Sequence, residues 1–266
     1  MLLKIKHVSQ YAYSEPVSYA LQHVRLRPKT RPNQVVLDWT VAFDHAREEL
    51  TFEDPFHNTT TLVRAEPDTA SITIECEGIV DTQSAAGIVG EHQGLMPLWL
   101  YQRQTSLTEP GPKLRAVART VRTSSDQIDQ LHGLSALIRD EMPYRVGVTD
   151  ATTPAEQALS LKYGVCQDHA HVFISAARTL GFPARYVSGY LMMNDRIDQD
   201  ATHAWAEVFV SDLGWVGFDV SNGICPDERY VAVATALDYD GAAPISGLVF
   251  GASAESLAVS VEVQQQ

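Results

Sequence analysis

The segment that begins at Cys166 constrains the fold of this chain more than any other. A break at Gly164 precedes the segment, and apolar side chains then recur at the spacing of one helical face. Gly181 ends the pattern in the position typical of a C′ glycine, and Pro183 follows two residues later. The pattern therefore predicts a helix from Cys166 to about Leu180, with the cysteine at its N-terminus. The apolar face consists of Cys166, Ala170, Phe173, Ile174, Ala177 and Leu180.

The second half of the chain also carries signals for further helices and strands. Thr153-Pro154-Ala155-Glu156 fits a capping box, with Thr153 as N-cap and Glu156 at the third helical position. A short helix from Pro154 to about Leu161 is expected there. Apolar periodicity predicts two earlier helices, and apolar runs predict three later strands. These elements are Lys113–Val121, Gln127–Arg139, Ala184–Leu191, His203–Val210 and Trp215–Val220.

The first hundred residues have a different character, with short alternating runs separated by turn residues. The runs predict an antiparallel sandwich or barrel, and no helix is needed before about residue 94. Glu109-Pro110-Gly111-Pro112 resembles a joint between domains. The chain is therefore expected to be an α+β protein with a β-rich domain over residues 1–105 and a second domain over residues 106–266. The predicted N-terminal strands include Val17–Leu26, Val35–Phe43, Thr59–Val63 and Ser71–Cys76.

Composition excludes several classes of function. Among the 266 residues, 33 are acidic and 20 are Lys or Arg, which gives a formal net charge of −13. This charge argues against nucleic acid or an anionic membrane as a partner. The three cysteines are too scattered for a disulfide framework. With no apolar run typical of a secretion signal or a membrane span, a cytoplasmic location is expected.

Cys166 is the residue whose position most suggests chemistry. Free N–H groups and the positive end of the helix dipole favour a thiolate at a helix N-terminus. A thiolate nucleophile needs a base, and the base needs an orienting partner. His203 begins one predicted strand and Asp219 lies near the end of the next, so antiparallel pairing could place them side by side. This spacing is consistent with a Cys-His-Asp triad. It is also consistent with an inert, buried cysteine, the more common state of a free cysteine.

Other residues carry weaker signals. His169 could share a helical face with Cys166, but His171 cannot, and no further ligand pair supports a zinc site. Trp205 and Trp215 could shape a cleft, although aromatic residues in central strands usually belong to the core. Glu207 could act as a catalytic carboxylate or simply share a sheet face with His203. Arg185 is expected to pair with an internal carboxylate and is assigned no chemistry. The acidic loop Asn194–Asp200 could border the site, and Cys76 and Cys225 are expected to be spectators.

Four sequence blocks resemble the core of the transglutaminase-like superfamily, whose papain-like fold uses a triad in the order Cys, His, Asp. The blocks are GVCQDHA from Gly164, RTLGFPARYVSGY from Arg178, HAWAE from His203 and GWVGFD from Gly214. The first hundred residues resemble the β-rich N-terminal domain of bacterial members through the motifs YAY at 11–13, RLRP at 25–28 and DPFHN at 54–58. One departure follows the aspartate: the family often has Asp-Pro-Thr-Asn, whereas this chain has Asp-Val-Ser-Asn at 219–222.

The resemblance implies a catalytic assignment. Cys166 would be the nucleophile, His203 the general base and then acid, and Asp219 the orienting residue. The expected reaction is acyl transfer through a Cys166 thioester, with hydrolysis of a peptide, isopeptide or other amide bond. The alternatives are transamidation by a lysine amine and a catalytically silent protein-binding module. The expected partner is a protein or peptide substrate, and no organic cofactor is implied. No metal ligand is assigned and no acidic loop resembles an EF-hand, but a calcium requirement stays open.

Overall fold

The computed structural model describes residues 1–121, 126–199, 201–251 and 254–266. Within these ranges the strands form three sheets, and the named strands pair antiparallel throughout. The strands of the first 90 residues are β1 Leu2–Val17, β2 Tyr19–Arg27, β3 Gln34–Asp44, β4 Ala46–Glu53, β5 Thr59–Ala65, β6 Thr69–Thr82 and β7 Ile88–Gly90. The later strands are β8 Ala184–Leu191, β9 Asp198–Gln199, β10 His203–Val210, β11 Gly214–Phe218, β12 Tyr230–Ala236, β13 Ile245–Phe250 and β14 Glu255–Gln265.

Four of the five α-helices of the described residues lie in the middle of the chain. The helices are α1 Pro112–Val121, α2 Gln127–Glu141, α3 Ala155–Leu161, α4 Cys166–Thr179 and α5 Tyr239–Ala242, with a 3-10 helix at Leu98–Gln102. Among the described residues, no helix is both long enough and apolar enough to span a membrane.

Two of the sheets form the N-terminal sandwich. The first sheet has the order β3-β6-β1-β14-β9, and the second has the order β13-β2-β5-β4. Alternate residues of β1 point inward because side chains of a strand alternate between its two faces. Tyr11 and Tyr13 of β1 pack in one cluster with Val24 of β2, Val63 of β5 and Ile74 of β6. This cluster is the core between the two sheets.

The third sheet, ordered β12-β8-β10-β11-β7, supports the helices. Helix α4 packs against β10 on one side and against α1, α2 and α3 on the other. As a result every residue from Asp168 to Arg178 is buried, including polar residues outside the predicted apolar face. Arg178 is accommodated because its guanidinium donates to the carbonyl oxygens of Tyr101 and Ala184 at 3.0 and 2.9 Å.

The sandwich packs against β12, the edge strand of the third sheet, where the Gln34 and Asn58 side chains bond the backbone of Ala232 and Thr235. Leu3 and Ile5 of β1 and Val263 of β14 form one buried cluster with Tyr190 of β8 and Val231 of β12. The last two strands belong to the sandwich, since β14 pairs with β1 and β13 pairs with β2, whereas β7 pairs with β11. The predicted limits 1–105 and 106–266 stay a prediction. Strand pairs join the two ranges in both directions, because β7 pairs with a later strand while β13 and β14 pair with earlier ones.

The α+β class is confirmed, and two local predictions need correction. Helix α3 begins at Ala155, and its N-cap Pro154 offers no side-chain hydrogen bond. The capping box is wrong because the Glu156 carboxylate instead accepts hydrogen bonds from the N–H groups of Gly111, Lys113 and Leu114, and so caps α1. The strand predicted to reach Val220 ends at Phe218.

Candidate active site

Cys166 is the first residue of α4, so its backbone N–H has no acceptor within the helix. The preceding turn is held by Asp168, whose Oδ2 accepts hydrogen bonds from the Val165 N–H at 2.8 Å and the Thr149 hydroxyl at 2.6 Å. Gly164 is needed there because a β-carbon would lie 2.6 Å from the β-carbon of Asp168. The turn therefore fixes Cys166, which is partly exposed, at the N-terminus of a buried helix.

His203 and Asp219 meet across the neighbouring strands β10 and β11. The strands pair with Ala206 opposite Phe218, so the first residue of β10 lies near the end of β11. His203 Nε2 donates to Asp219 Oδ2 at 2.7 Å. The hydrogen bond occupies one ring nitrogen and leaves Nδ1 as the nitrogen available to another partner.

Two further side chains hold the Asp219 carboxylate. The Tyr230 hydroxyl and the Asn222 side-chain amide each donate to Oδ2 at 2.7 Å, and the Asn222 backbone N–H donates to Oδ1 at 3.2 Å. Asp219 is 1% exposed, so these bonds satisfy a carboxylate that water does not solvate. The Asp-Val-Ser-Asn sequence thus keeps an asparagine in contact with the aspartate.

The charges of this cluster support an ionised histidine. Burial lowers the pKa of His203, but the neighbouring Cys166 and Asp219 outweigh burial and raise that pKa to about 10. Burial raises the pKa of Asp219, yet the hydrogen bonds from His203, Asn222 and Tyr230 bring it below its usual value. A His203 ring that is charged near neutral pH carries a proton on Nδ1 that it can donate.

Cys166 and His203 line one cleft of about 570 Å³, here named the Cys166 cleft. This volume is in the range of small-molecule and peptide side-chain sites. Apolar side chains form part of the cleft wall. Tyr144 and two residues that follow Asp219, Ser221 and Asn222, also contribute to it. The lining includes Tyr144, Val146, Leu191, Met193, Arg196, Asp198, Gln199, Ser221 and Asn222.

The predicted acidic loop borders this cleft in part. Asp198 lines it together with Arg196, so an acidic and a basic side chain share the wall. Asp195 is exposed, and Asp200 lies outside the described residues.

The two other histidines of α4 have structural partners. His169 donates from Nε2 to the Met142 carbonyl at 2.7 Å, and its Nδ1 lies 2.8 Å from the Ser221 hydroxyl. His171 Nε2 accepts a hydrogen bond from the Tyr239 N–H at 3.1 Å. Burial lowers the pKa of both side chains. Both histidines therefore hold loops against α4.

Among the described residues, none of the remaining cysteines and tryptophans lines the Cys166 cleft. Burial raises the pKa of Cys76 to about 12 and also raises the pKa of Cys225. Trp205 is buried and stacks beside His203, with ring centroids 6.3 Å apart. Trp215 is buried under the Arg185 guanidinium, which lies 4.1 Å from its ring centroid. The tryptophans thus support neighbouring charged groups.

Arg185 pairs with an internal carboxylate, as the sequence predicts. Its Nε donates to Glu207 Oε2 at 2.7 Å, and Arg31 of the sandwich donates to Oε1 of the same carboxylate. Tyr230 and Tyr144 were not among the predicted site residues. Tyr230 lies on β12, a strand without a clear sequence signal, and Tyr144 lies in a loop. No local pattern places either side chain beside the triad residues.

The chain carries a transglutaminase-like core preceded by a bacterial transglutaminase-like N-terminal region. Residues 115–220 match the Transglutaminase-like superfamily, and residues 3–81 match the Bacterial transglutaminase-like N-terminal region. The first match contains Cys166, His203 and Asp219. The resemblance expected from the four sequence blocks is confirmed.

Similar proteins share the whole length of the chain. An uncharacterized protein of Mycobacterium leprae is 25% identical and covers 98% of each chain, and one of Mycobacterium bovis is 29% identical over 98% of this chain and 91% of its own. A candidate cysteine protease from Cytophaga hutchinsonii superposes with a TM-score of 0.79 at 20% identity, covering 99% of this chain and 90% of that chain. The last likeness shows that the two proteins share a fold.

Proposed function

We propose that this protein is a cysteine-dependent acyl-transfer enzyme that hydrolyses peptide, isopeptide or other amide bonds. One observation carries the proposal: His203, hydrogen-bonded to Asp219 at 2.7 Å, lines the same cleft as Cys166. A nucleophile, a base and an orienting carboxylate in this relation are what thiol acyl transfer requires.

The first half of the reaction acylates Cys166. The sulfur attacks the amide carbonyl carbon, and the Cys166 backbone N–H stabilises the oxyanion that forms. The carbon–nitrogen bond then breaks as the His203 imidazolium gives its proton to the leaving amine. Asp219 keeps the ring oriented throughout by accepting from Nε2. The product is a Cys166 thioester and a neutral His203.

The second half regenerates the enzyme. Neutral His203 takes a proton from water, and the water oxygen attacks the thioester carbon. The carbon–sulfur bond breaks, which releases a carboxylic acid and leaves a thiolate beside an imidazolium. A lysine amine could take the place of water only in its neutral form. Asp198 and Arg196 on the cleft wall act on an ammonium in opposite directions, so the preference for hydrolysis rests on water, which needs no binding pocket of its own.

The test supplies many acyl donors at once. A proteome-derived peptide mixture with blocked amines is incubated with the enzyme and a millimolar primary amine, and mass spectrometry quantifies both products. We expect free carboxylic acids, at new C-termini or former side-chain amides, as the main products. Cys166→Ala should abolish them, whereas Cys225→Ala should retain them.

Two results would contradict the proposal. Amine adducts as the main products would replace the hydrolase assignment by transamidation. No product of either kind, from wild type and Cys166→Ala alike, would favour a protein-binding module.

A further inference from the structure

A second cavity lies between the sandwich and the third sheet and shares no lining residue with the Cys166 cleft. Its volume is about 350 Å³, enough for a small ligand. We name it the interdomain cavity. The sandwich contributes Lys29, Arg31 and His57 to its wall, and the third sheet contributes Arg185 and Trp215 from the face opposite α4.

Basic groups converge on this cavity around one buried carboxylate. Arg31 and Arg185 both donate to Glu207, whose side chain is 1% exposed, and the guanidinium side chains are 11% and 12% exposed. Lys29 lies beside them and donates to the carbonyl oxygens of Phe56 and His57 at 2.9 Å, which carry no charge. Three cations are thus drawn together from water around Glu207, while Asp54, which also lies near Lys29, is already paired with Arg25.

The titration of these groups reflects an excess of positive charge. Burial and the neighbouring Arg185 and Arg31 together lower the pKa of Lys29 to about 8. The two arginines lower this pKa by more than Asp54 and Glu207 raise it. Burial raises the pKa of Glu207, but the two guanidinium groups outweigh burial and bring it to about 2. A further negative charge in the cavity would therefore be stabilised.

The two guanidinium groups are held in place to receive such a charge. Arg185 stacks over Trp215 at 4.1 Å and interacts with the Tyr101 hydroxyl, so its plane is fixed. Among the described residues, Arg31 makes a side-chain hydrogen bond through Nη2 to Glu207 alone, so Nε and Nη1 keep donors for a ligand. Planar guanidinium forks match the paired oxygens of carboxylate and phosphate groups.

We propose that the interdomain cavity binds a small ligand through an oxyanion group, either carboxylate or phosphate. Arg31 would contact the oxyanion directly, and Arg185 and Lys29 would supply the surrounding positive charge. The acidic side chains of the lining, Glu53 and Glu91, are exposed, and Glu53 is paired with His57. The negative charges of Glu53 and Glu91 would repel a second anionic group and so restrict the ligand to one compact anionic group.

The competing interpretation is that Arg31, Glu207 and Arg185 form only a structural ion cluster between the two parts of the chain. Calorimetric titration and thermal unfolding of the wild-type protein distinguish an oxyanion site from a structural ion cluster. The probes are sodium phosphate and sodium succinate, each compared with sodium chloride at equal ionic strength. We expect saturable binding of at least one probe. Binding of only phosphate or only succinate would identify the oxyanion that fits the cavity.

Arg31→Gln is the main variant, and Arg115→Gln on an exposed turn of α1 is its charge-matched control. We expect Arg31→Gln to weaken binding at least about tenfold, since it removes a charge-assisted contact. Arg115→Gln should leave binding unchanged. No saturable binding of either probe, or equal binding by the two variants, would overturn the proposal in favour of the structural cluster.

Two exposed lining residues keep the proposal testable if Arg31→Gln does not fold. Gln93→Glu adds a negative charge to the cavity wall, and Glu91→Gln removes one. The first should weaken oxyanion binding by a few fold, and the second should strengthen it by a similar factor. Identical affinities in both variants would contradict the site. Because neither residue lines the Cys166 cleft, these results do not depend on the proposed activity.

Discussion

The Cys166 cleft and the interdomain cavity each depend on a buried carboxylate, but the two carboxylates have different neighbours. Asp219 accepts from His203, a group that can lose its proton, together with the neutral donors Asn222 and Tyr230. Glu207, which follows His203 by four positions on β10, accepts from two arginines that stay charged. The first carboxylate controls a proton, whereas the second balances fixed charge.

The same contrast distinguishes two buried histidines. His203 has its pKa raised because Cys166 and Asp219 outweigh burial. His7, at the contact between β1 and β8, has its pKa lowered to about 4 by burial, and its ring bonds to the neutral hydroxyls of Tyr190 and Ser9 at 2.9 Å. Burial acts on both rings alike, so the charge of the neighbours decides which histidine can serve as an acid. Mutations around Asp219 and His203 should therefore affect activity, whereas mutations of Glu207 and His7 should affect stability.

The largest expected effect falls on activity at the Cys166 cleft. Cys166→Ala and His203→Ala should each reduce turnover by about three orders of magnitude or more, because thiolate and base act as a unit. The double variant should lose little more than either single variant. Kinetics on one accepted substrate measure this, and losses that multiply would contradict a shared mechanism.

Asp219→Asn should reduce turnover by about two to four orders of magnitude, because the imidazolium loses its carboxylate partner. With that negative charge removed, the pKa of His203 falls, and the alkaline limit of kcat/KM should move to lower pH. Tyr230→Phe keeps the carboxylate and removes one hydrogen bond, so it should shift the limit less. An unchanged pH profile in Asp219→Asn would show that His203 does not act as the acid.

Glu207→Gln should affect stability instead of chemistry. It leaves two buried guanidinium groups without their carboxylate, a change that costs about 3–5 kcal/mol in comparable buried pairs. Denaturant unfolding should show this loss, while kcat of the folded fraction stays near wild type. A fall in kcat comparable to that of Asp219→Asn would remove the distinction between the two carboxylates.

His7 should make stability depend on pH to a smaller extent. The pKa of His7 is about 4 in the folded protein, against an ordinary value of 6.5. Between these two pH values the unfolded chain therefore binds more protons at His7 than the folded protein does. The free energy of unfolding should therefore decrease as pH falls from about 6.5 towards 4, by at most about 1.4 kcal/mol per pH unit.

His7→Gln isolates this contribution because His171 and the other titrating groups remain. The variant should lose less stability than wild type between pH 7 and pH 5, whatever its stability at pH 7. Equal losses in the two proteins would show that His7 does not titrate with unfolding.

Much of the catalytic part of the fold can be predicted from sequence. The helix at Cys166 is marked by a glycine break, one apolar face and a glycine end, and the strand at His203 by its apolar run. These are local signals, and the structure reproduces both elements. Internal pairing of Arg185 was also predictable, since a charged residue between apolar neighbours needs a partner.

The parts that escaped prediction depend on contacts between distant segments. The exposed strand β4 and the C-terminal strands β13 and β14 lack a buried face strong enough to give a clear pattern. Tyr230 reaches Asp219 because β12 pairs with β8, and Glu156 caps α1 from another helix. The interdomain cavity likewise requires Arg31 to meet Glu207 across 176 positions of sequence.

The most direct test of the central claim, that His203 and Asp219 activate Cys166 as a nucleophile, is selective alkylation. A limiting dose of iodoacetamide near neutral pH, followed by peptide mapping, should label Cys166 well before Cys76 and Cys225. His203→Ala should slow labelling of Cys166 and leave the other two cysteines unchanged. Equal labelling of all three cysteines, protection of Cys166 alone, or an unchanged rate in His203→Ala would contradict the account.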